Sequence, residues 1–167
     1  AGSCGKVLAN FKVSLHDDEV IVSGNTMLGY VSDPESWCLE FVATGDLGQI
    51  DNDGYLYIKG RKKNLLISSY GRNISPEWVE SELLAGPVLS EAVVLGDAKP
   101  YCTALLSARS ANTSDLDIQQ FIDGINASLP DYARVLAWHR LEKPLHEDDR
   151  LMTENGRPRR KAIAQAH

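Results

Sequence analysis

The sequence predicts an α+β protein: a small antiparallel β subdomain over residues 1–60, followed by a compact α/β domain over residues 61–167 with a short mixed sheet flanked by helices. Two observations lead to this fold class. Residues before 60 carry only strand-like alternation and turn signals, whereas a helix start at Ser75 and Pro76 opens a part with both strands and helices. The basic run Arg61–Lys63 lies at this change of character, as a solvated connector between domains would.

The first part consists of short strands separated by turns. Alternation of apolar and polar residues predicts a hairpin of strands over 11–15 and 19–23, and a further strand over 37–42 precedes the tripeptide Thr44-Gly45-Asp46. Asp53-Gly54 predicts a tight primed turn before a strand over 55–59, because such turns need positive φ at both central positions. We therefore expect a small sheet or barrel built from two or three hairpins.

The second part alternates between strands and helices. Gly71 occupies the position in the turn 69–72 that most needs an unusual backbone angle. Ser75 is a good N-cap, Pro76 suits the first helical position, and Val79 and Leu83 form an apolar i,i+4 pair. The remaining predicted elements are a short central strand over 65–67, further strands over 92–95, 101–106 and 135–141, a helix over 115–129 that includes Leu116, and a final short helix after the loop 153–161.

The composition excludes several classes of partner. The chain has 167 residues and a formal net charge of −6, from 17 basic and 23 acidic residues. This balance gives no general electrostatic attraction to nucleic acid or to an anionic membrane, and no apolar run is long enough to span a bilayer. The three cysteines, Cys4, Cys38 and Cys102, are too few and too scattered for a disulfide framework or a zinc site. Each has apolar neighbours, so we interpret them as small hydrophobes in a reducing, cytoplasmic setting.

Two concentrations of positive charge occur in this acidic chain, at Arg61–Lys63 and at Arg157–Lys161. They suit a local anionic ligand such as a phosphate, although a solvated surface is the ordinary interpretation of basic residues. The sequence contains no Walker-type glycine loop, no HExxH, no paired CxxC and no serine in a nucleophile elbow. The histidines have no metal-binding spacing, so we predict no metal site within the chain.

Three motifs together resemble a known family. The runs YVSDPE, TGDLGQIDNDGYLYIKGRKKNLLISSYGRNISPEWVE and TENGRPRR are similar to the C-terminal third of the adenylate-forming (AMP-binding) enzymes. This superfamily includes acyl-CoA synthetases, nonribosomal-peptide adenylation domains and firefly-type luciferases. The order and spacing of Thr-Gly-Asp, Gly-Arg, the Gly71 turn and the Pro-x-x-x-Glu helix start make the resemblance specific. The run GRKKNLLISSYGRNISP looks most like the long-chain fatty acyl-CoA synthetase branch.

The resemblance implies roles for residues in and after the Thr-Gly-Asp motif. Asp46, with Thr44, corresponds to the position that holds the ribose hydroxyls of ATP, a role suited to an ionised carboxylate that only accepts hydrogen bonds. Arg61 would donate to the same ribose. Lys63 falls at the family's hinge, where rotation of the backbone moves a small C-terminal lid domain between two poses.

Further roles fall on the glycine turn and on the last motif. The turn containing Gly71, Arg72 and Asn73 would line the tunnel for the pantetheine arm of CoA, since glycine permits close backbone approach. The family usually has a catalytic lysine at the position of Arg157, where it contacts the carboxylate and phosphate during adenylation. Arginine keeps the charge but is planar and bulkier. Either Arg157 performs this role, or Lys161 does so from one turn further on, or adenylation is impaired; we favour Arg157.

The implied activity is that of an acyl-CoA ligase acting on a small-molecule carboxylate, with ATP, Mg and CoA as cofactors. In this interpretation residues 61–167 are the lid domain, and residues 1–60 are the end of a larger N-terminal catalytic domain that is absent. The missing domain would be a partner of the chain, which we expect to be inactive alone. Two alternatives remain open. One is an adenylation enzyme that delivers to the pantetheine of a carrier protein, and the other is a non-catalytic interaction module.

Overall fold

A computed structural model describes residues 2–166, which form two compact units, one ending at Asn64 and the other beginning at Leu65. The strands of the first unit are β1 Gly5–Lys6, β2 Phe11–His16, β3 Glu19–Gly24, β4 Phe41–Ile50 and β5 Tyr55–Arg61. The elements of the second unit are β6 Leu66–Ile67, β7 Asn73–Ile74, α1 Pro76–Leu84, β8 Leu89–Leu95, β9 Cys102–Ala108, α2 Asp115–Ser128, β10 Val135–Arg140 and α3 Arg160–Ala166. Short 3-10 helices cover Pro34–Ser36, Lys62–Asn64, Asp131–Ala133 and Leu145–Glu147.

The first unit is a five-stranded antiparallel sheet with the order β1-β5-β4-β3-β2. The predicted hairpin of β2 and β3 is present, and its turn has positive φ at both Asp17 (49°) and Asp18 (64°). The prediction of a primed turn at Asp53-Gly54 is wrong, since only Gly54 has positive φ there. Asp51 closes this longer turn, because its carboxylate accepts hydrogen bonds from the amides of Asp53 and Tyr55.

The strand predicted over residues 37–42 begins later than the sequence predicts. Residues 37–40 lie outside any strand, after the 3-10 helix Pro34–Ser36, and β4 runs from Phe41 to Ile50. The indole of Trp37 donates to the carbonyl of Tyr30 at 2.8 Å, which folds this segment back on itself. The apolar content of residues 37–42 therefore reflects local loop packing as well as the strand.

The second unit has a small mixed sheet with the order β10-β9-β8, in which β8 and β9 are antiparallel and β9 and β10 are parallel. The strand predicted at 65–67 is not central to this sheet. It pairs instead with β7 as a separate two-stranded hairpin. A short mixed sheet with helices, preceded by an antiparallel sheet, confirms the predicted α+β class.

The core of the second unit forms where α1 and α2 pack on the sheet. Val79 and Leu83 are fully buried, as the i,i+4 spacing predicts, and Ile118 and Ile122 provide the buried positions of α2. Leu116, which the predicted helix included, is instead 66% exposed, because the buried face of α2 lies on the other side of the helix. The start of α2 is fixed by a capping box at its N-terminus.

The three cysteines do not share one environment. Cys102 is buried in the core of the second unit, and burial raises the pKa of its thiol to about 11. Cys4 and Cys38 are exposed, so the interpretation of all three as small hydrophobes holds only for Cys102. The apolar neighbours of Cys4 and Cys38 in the sequence are themselves exposed, so apolar neighbours do not indicate burial at these two positions.

Within residues 2–166, no helix is both long and apolar enough to cross a membrane.

Candidate functional site

The Thr44-Gly45-Asp46 motif forms a bulge inside β4 and is not a loop between strands. Ala43 pairs with Ile21 and Leu47 pairs with Glu19, so three residues of β4 stand opposite the single residue Val20 of β3. Gly45 has φ +72, a left-handed conformation that glycine adopts without a steric penalty. Bulges are common beside functional sites.

Asp46 and Arg61 are directly paired across β4 and β5. The Nε of Arg61 lies 2.8 Å from Oδ1 of Asp46, and a terminal guanidinium nitrogen donates to the carbonyl of Thr44 at 2.9 Å. The hydroxyl of Thr44 donates to the carbonyl of Val20 and accepts from the amide of Asp46. The side chains of Arg61 and Asp46 are 37% and 29% exposed, so a ligand can reach both.

Glu19 lies behind this pair and was not among the residues that the sequence indicated. Its Oε1 accepts from the amide of Gly45 at 3.0 Å, and its Oε2 accepts from Nζ of Lys62 at 2.8 Å. The hydrogen bond from Lys62 lowers the pKa of Glu19, and the same contact raises the pKa of Lys62. No local sequence signal identifies this role, because the two side chains of the ion pair lie 43 residues apart.

Lys63, the predicted hinge, is an exposed residue of the 3-10 helix Lys62–Asn64 that follows β5 directly. The first unit ends at Asn64, one residue further along the chain. Lys63 therefore lies close to the division between the two units, and its role as the hinge stays a prediction.

The Gly71 turn connects β6 and β7 in the second unit. Gly71 has φ +74, and its amide donates to the carbonyl of Ser68 at 2.9 Å. A Cβ at this position would meet no atom within 4 Å, so the space beside the turn is open. Glycine is therefore favoured here by its backbone angle and not by a lack of space. Arg72 lies over the ring of Tyr132, 6.0 Å from its centroid, and Asn73 begins β7.

A neighbouring loop, residues 97–99, braces the Gly71 turn. The amide of Ile67 donates to Oδ1 of Asp97, and the amide of Ala98 donates back to the carbonyl of Ile67. The amide of Ser69 donates to the carbonyl of Lys99 at 3.0 Å. These hydrogen bonds hold the backbone that leads into the turn.

The last motif forms a closed loop before α3. The amide of Thr153 donates to the carbonyl of Arg157, and the hydroxyl oxygen of Thr153 accepts from the amide of Arg157 at 3.0 Å. Gly156 has φ +68, which lets the loop turn immediately before Arg157. Arg157 is exposed, and Lys161 is exposed in the first turn of α3. The backbone of Arg157 is thus held while its side chain is accessible to a ligand.

Arg160 differs from the other basic residues of this motif because it is buried in an ion pair. Its guanidinium contacts both carboxylate oxygens of Glu80, at 2.6 and 2.7 Å, and donates to the carbonyl of Val94. Burial raises the pKa of Glu80, and the guanidinium of Arg160 opposes that rise. The side chains of Arg160 and Glu80 are only 14% and 10% exposed. Arg160 therefore attaches α3 to α1 and β8, whereas the sequence alone grouped it with a ligand-binding cluster.

The predicted residues fall into three local groups. The bulge and β5 bring together Thr44, Asp46 and Arg61; one turn holds Gly71, Arg72 and Asn73; the last loop and α3 carry Arg157 and Lys161. No three His, Cys, Asp or Glu side chains among residues 2–166 are grouped so as to hold a metal ion.

An antiparallel sheet with this bulge, followed by a small α/β unit with a glycine turn and a basic loop, defines the C-terminal region of an AMP-binding enzyme. A family model described as the AMP-binding enzyme C-terminal domain matches residues 63–167. The chain belongs to this family, and the resemblance of its motifs is confirmed.

Individual relatives agree with this assignment. The long-chain-fatty-acid–CoA ligase FadD15 of Mycobacterium tuberculosis is 38% identical over an alignment of 112 residues, which covers 64% of this chain and 19% of that protein. The anthranilate CoA ligase AuaEII, solved with anthranoyl-AMP, has a TM-score of 0.81 at 25% identity, over 99% of this chain and 35% of that one. The o-succinylbenzoate CoA synthetase MenE of Bacillus subtilis, solved with its acyl-adenylate intermediate, has a TM-score of 0.71 at 29% identity, over 85% of this chain and 32% of that one. The chain thus spans about a fifth of this curated relative and a third of these solved chains.

Proposed function

We propose that the chain is the C-terminal part of an ATP-dependent acyl-CoA synthetase. In the first step, a carboxylate oxygen attacks the α-phosphate of ATP, forming an acyl-adenylate and releasing pyrophosphate. In the second step, the thiol of CoA attacks the acyl carbon, forming the thioester and releasing AMP. Membership of the family supports the adenylate-forming step, and similarity to a long-chain-fatty-acid–CoA ligase supports a fatty carboxylate and CoA as the substrates.

The observation that carries the proposal is the Asp46–Arg61 pair on the β4 bulge. An ionised carboxylate can accept hydrogen bonds from two neighbouring hydroxyls, and a guanidinium can donate to the same sugar from a fixed position. Both side chains are partly exposed and contact each other, while Thr44 accepts hydrogen bonds from the Arg61 guanidinium and from the backbone amide of Asp46. In this proposal Asp46 and Arg61 bind the ribose of ATP, while Thr44 keeps the bulge in shape.

Arg157 supplies the positive charge at the adenylation step in this proposal, with Lys161 as the alternative. The closed loop around Thr153 supports this choice, since it fixes the backbone from which the Arg157 side chain extends. Preorganised positive charge beside the reacting phosphate and carboxylate lowers the barrier because it stabilises charge that moves during the transfer. Magnesium would accompany ATP and be held mainly by its phosphates.

The second unit acts as a mobile lid in this proposal. Lys63 is the hinge, a function supported by its exposed position near the division between the units. After rotation, the turn of Gly71, Arg72 and Asn73 would face the pantetheine arm of CoA. The open space beside Gly71 supports close approach by that arm. Rotation of a domain between half-reactions is a known way to separate two chemical steps in one enzyme.

We further propose that the first unit, residues 1–60 in the sequence-based division, packs against a larger N-terminal catalytic domain. It leaves many large apolar side chains exposed, including Phe41 in β4 and Leu28 and Val31 in the segment between β3 and β4. Exposed apolar patches often mark surfaces that pack against other protein. The reducing, cytoplasmic setting inferred from the cysteines stays a prediction.

The test uses the full-length protein that carries this sequence. Fatty-acid-dependent release of pyrophosphate from ATP, together with CoA-dependent formation of AMP, is the expected result. AMP formation that needs a pantetheine-loaded carrier protein would indicate the carrier-dependent alternative. The absence of pyrophosphate release across a series of acids of increasing chain length would contradict both enzymatic functions and favour a non-catalytic module.

Asp46→Ala tests the nucleotide assignment within that assay. We expect kcat/KM for ATP to fall about 100-fold, because hydrogen bonds to a charged group contribute about 1.5–3 kcal/mol each. Asp53→Ala is the matched control, since Asp53 is an exposed carboxylate in the turn after β4. An equal effect of the two substitutions would show that Asp46 has no special role in using ATP.

A further inference from the structure

We propose that Glu19 is a positioning residue for the nucleotide-contacting pair, and that it acts through the backbone amide of Gly45. This inference rests on the proposed function, in which Asp46 and Arg61 bind the ribose. Glu19 would be a third residue at this site, and it belongs to neither the Thr-Gly-Asp motif nor the Gly-Arg motif.

The bulge is held by a contact from outside β4. Three residues of β4 stand opposite Val20, so the regular ladder of β3 and β4 is interrupted there. Gly45, at the centre of the bulge, has φ +72, and its amide donates to Oε1 of Glu19 at 3.0 Å. A side chain of β3 thus accepts a backbone hydrogen bond that the interrupted ladder does not supply.

Glu19 contacts the immediate neighbours of both members of the pair. Gly45 precedes Asp46, and Lys62, whose Nζ donates to Oε2 of Glu19 at 2.8 Å, follows Arg61. The Glu19 side chain is only 12% exposed, so its position is restricted by its surroundings. One carboxylate therefore binds the backbone amide of the residue before Asp46 and the side chain of the residue after Arg61.

The two contacts of Glu19 differ in what they require of its side chain. The amide of Gly45 needs only an oxygen acceptor at the right distance, whereas Lys62 needs a negative charge. Lys62 is 59% exposed, and ion pairs at such exposure contribute little because water competes with them. The contact of Glu19 that matters for binding the nucleotide is therefore the hydrogen bond that it accepts from the amide of Gly45. The ion pair mainly orients the carboxylate.

The experiment measures steady-state kinetics with ATP for the full-length protein and four variants. Glu19→Ala removes the acceptor and should raise KM for ATP roughly tenfold, the size expected for one hydrogen bond to a charged group, with little change in kcat. Glu19→Gln keeps an oxygen at the same distance and should restore KM to within about threefold of the wild type, within the range of one neutral hydrogen bond. Lys62→Met removes only the ion pair and should behave like Glu19→Gln. Glu19→Asp keeps the charge but shortens the reach, so it should raise KM.

The Asp and Gln variants keep the inference testable where Glu19→Ala does not fold. A raised KM for Glu19→Gln and Lys62→Met with a normal KM for Glu19→Asp would show that charge, not position, is what matters, and would overturn the inference. Equal KM values for all variants would also overturn it. A thermal melt of each variant separates loss of folding from loss of ATP binding.

Hydrogen–deuterium exchange of the peptide over residues 43–47 provides a readout that does not depend on activity. Exchange should rise in Glu19→Ala and Glu19→Asp and stay near the wild-type rate in Glu19→Gln. If the wild-type protein neither binds nor uses ATP, the proposed function fails, and with it the nucleotide part of this inference, whatever the exchange shows. If ATP is used and exchange changes without any change in KM, Glu19 supports the bulge but does not position the nucleotide pair, and only this inference fails.

Discussion

The two units of the chain differ most in how they bury apolar side chains. Of the twenty hydrophobic residues that are buried within residues 2–166, nineteen belong to the second unit, and Val20 alone belongs to the first. The first unit instead exposes large apolar side chains such as Leu28, Tyr30 and Trp37. Burial of apolar surface is the main favourable contribution to folding, so the second unit has the core of a domain and the first does not.

This difference shows how each unit can hold functional residues. In the second unit, Gly71 and Arg157 lie in exposed loops that are supported by a packed hydrophobic core. The first unit holds Asp46 through hydrogen bonds and ion pairs, with the Thr44 hydroxyl and the Glu19 carboxylate in place of a core. The apolar surface that the first unit leaves exposed agrees with our proposal that it packs against a larger domain.

The largest effect that we expect within the second unit is on its stability. Arg160→Ala leaves Glu80 buried without its partner, and breaking such a pair costs about 3–5 kcal/mol. Denaturant unfolding of the chain, followed by far-UV circular dichroism, measures this loss. Arg150→Ala is the control, because Arg150 forms an exposed ion pair with Asp148 and its removal should change stability little.

The result would show whether the stability of the second unit depends on this ion pair. If the second unit depends on its own core and on this ion pair, its unfolding transition moves while the first unit is unaffected. A change equal to that of Arg150→Ala would mean that the Arg160–Glu80 contact does not stabilise the unit. Our distinction between structural and ligand-contacting residues in the last motif would then be wrong.

The next effect concerns the Gly71 turn and separates the two half-reactions in the full-length protein. Gly71→Val forces a branched side chain to adopt φ +74, a conformation that costs roughly 1–3 kcal/mol, and it fills the space beside the turn. We expect pyrophosphate release to change little and thioester formation to fall at least about tenfold, which corresponds to about 1.4 kcal/mol. Quenched-flow measurement of each half-reaction gives the two rates.

Gly54→Val is a matched control from the other unit. Gly54 also has positive φ, at +83, and a Cβ there would likewise meet no atom within 4 Å. The same backbone strain is thus placed in the first unit, where it should not impair thioester formation selectively. Equal losses in both half-reactions for Gly71→Val would contradict a role for this turn in the second step alone.

Local patterns in the sequence predicted the elements but not the contacts that hold the candidate site. The alternation that predicted β2 and the i,i+4 pair of Val79 and Leu83 depend on neighbours within a few residues, and the structure has both. The β4 bulge was missed because Thr-Gly-Asp carries loop signals, while the ladder that makes it part of a strand involves β3. The Arg160–Glu80 pair joins residues 80 positions apart, and no local pattern indicates which arginine of a basic run will be buried.

The smallest expected effect is a dependence of stability on pH at the 3-10 helix Leu145–Glu147 of the second unit. Nδ1 of His146 lies 2.6 Å from Oε1 of Glu91, and Glu91 also accepts hydrogen bonds from the amide of Leu145 and the hydroxyl of Ser107. The hydrogen bond with Glu91 raises the pKa of His146 above its ordinary value of 6.5. Burial raises the pKa of Glu91, but these hydrogen bonds outweigh it and lower the pKa below 4.5.

The direction of the effect follows from these shifts. Stabilisation from His146 is complete below pH 6.5 and is lost as the pH rises through the raised pKa of the folded state. Stabilisation from Glu91 is complete above pH 4.5 and is lost as the pH falls through its lowered pKa. The difference in melting temperature between the wild type and His146→Ala should therefore be largest between about pH 4.5 and 6.5 and shrink as the pH rises further. Glu91→Gln should remove this pH dependence, and a difference that stays constant from pH 5 to pH 9 would show that the contact is not an ion pair. Because the side chain of His146 is exposed, the change in melting temperature should be small. The loss expected for the largely buried pair of Arg160 and Glu80 is greater.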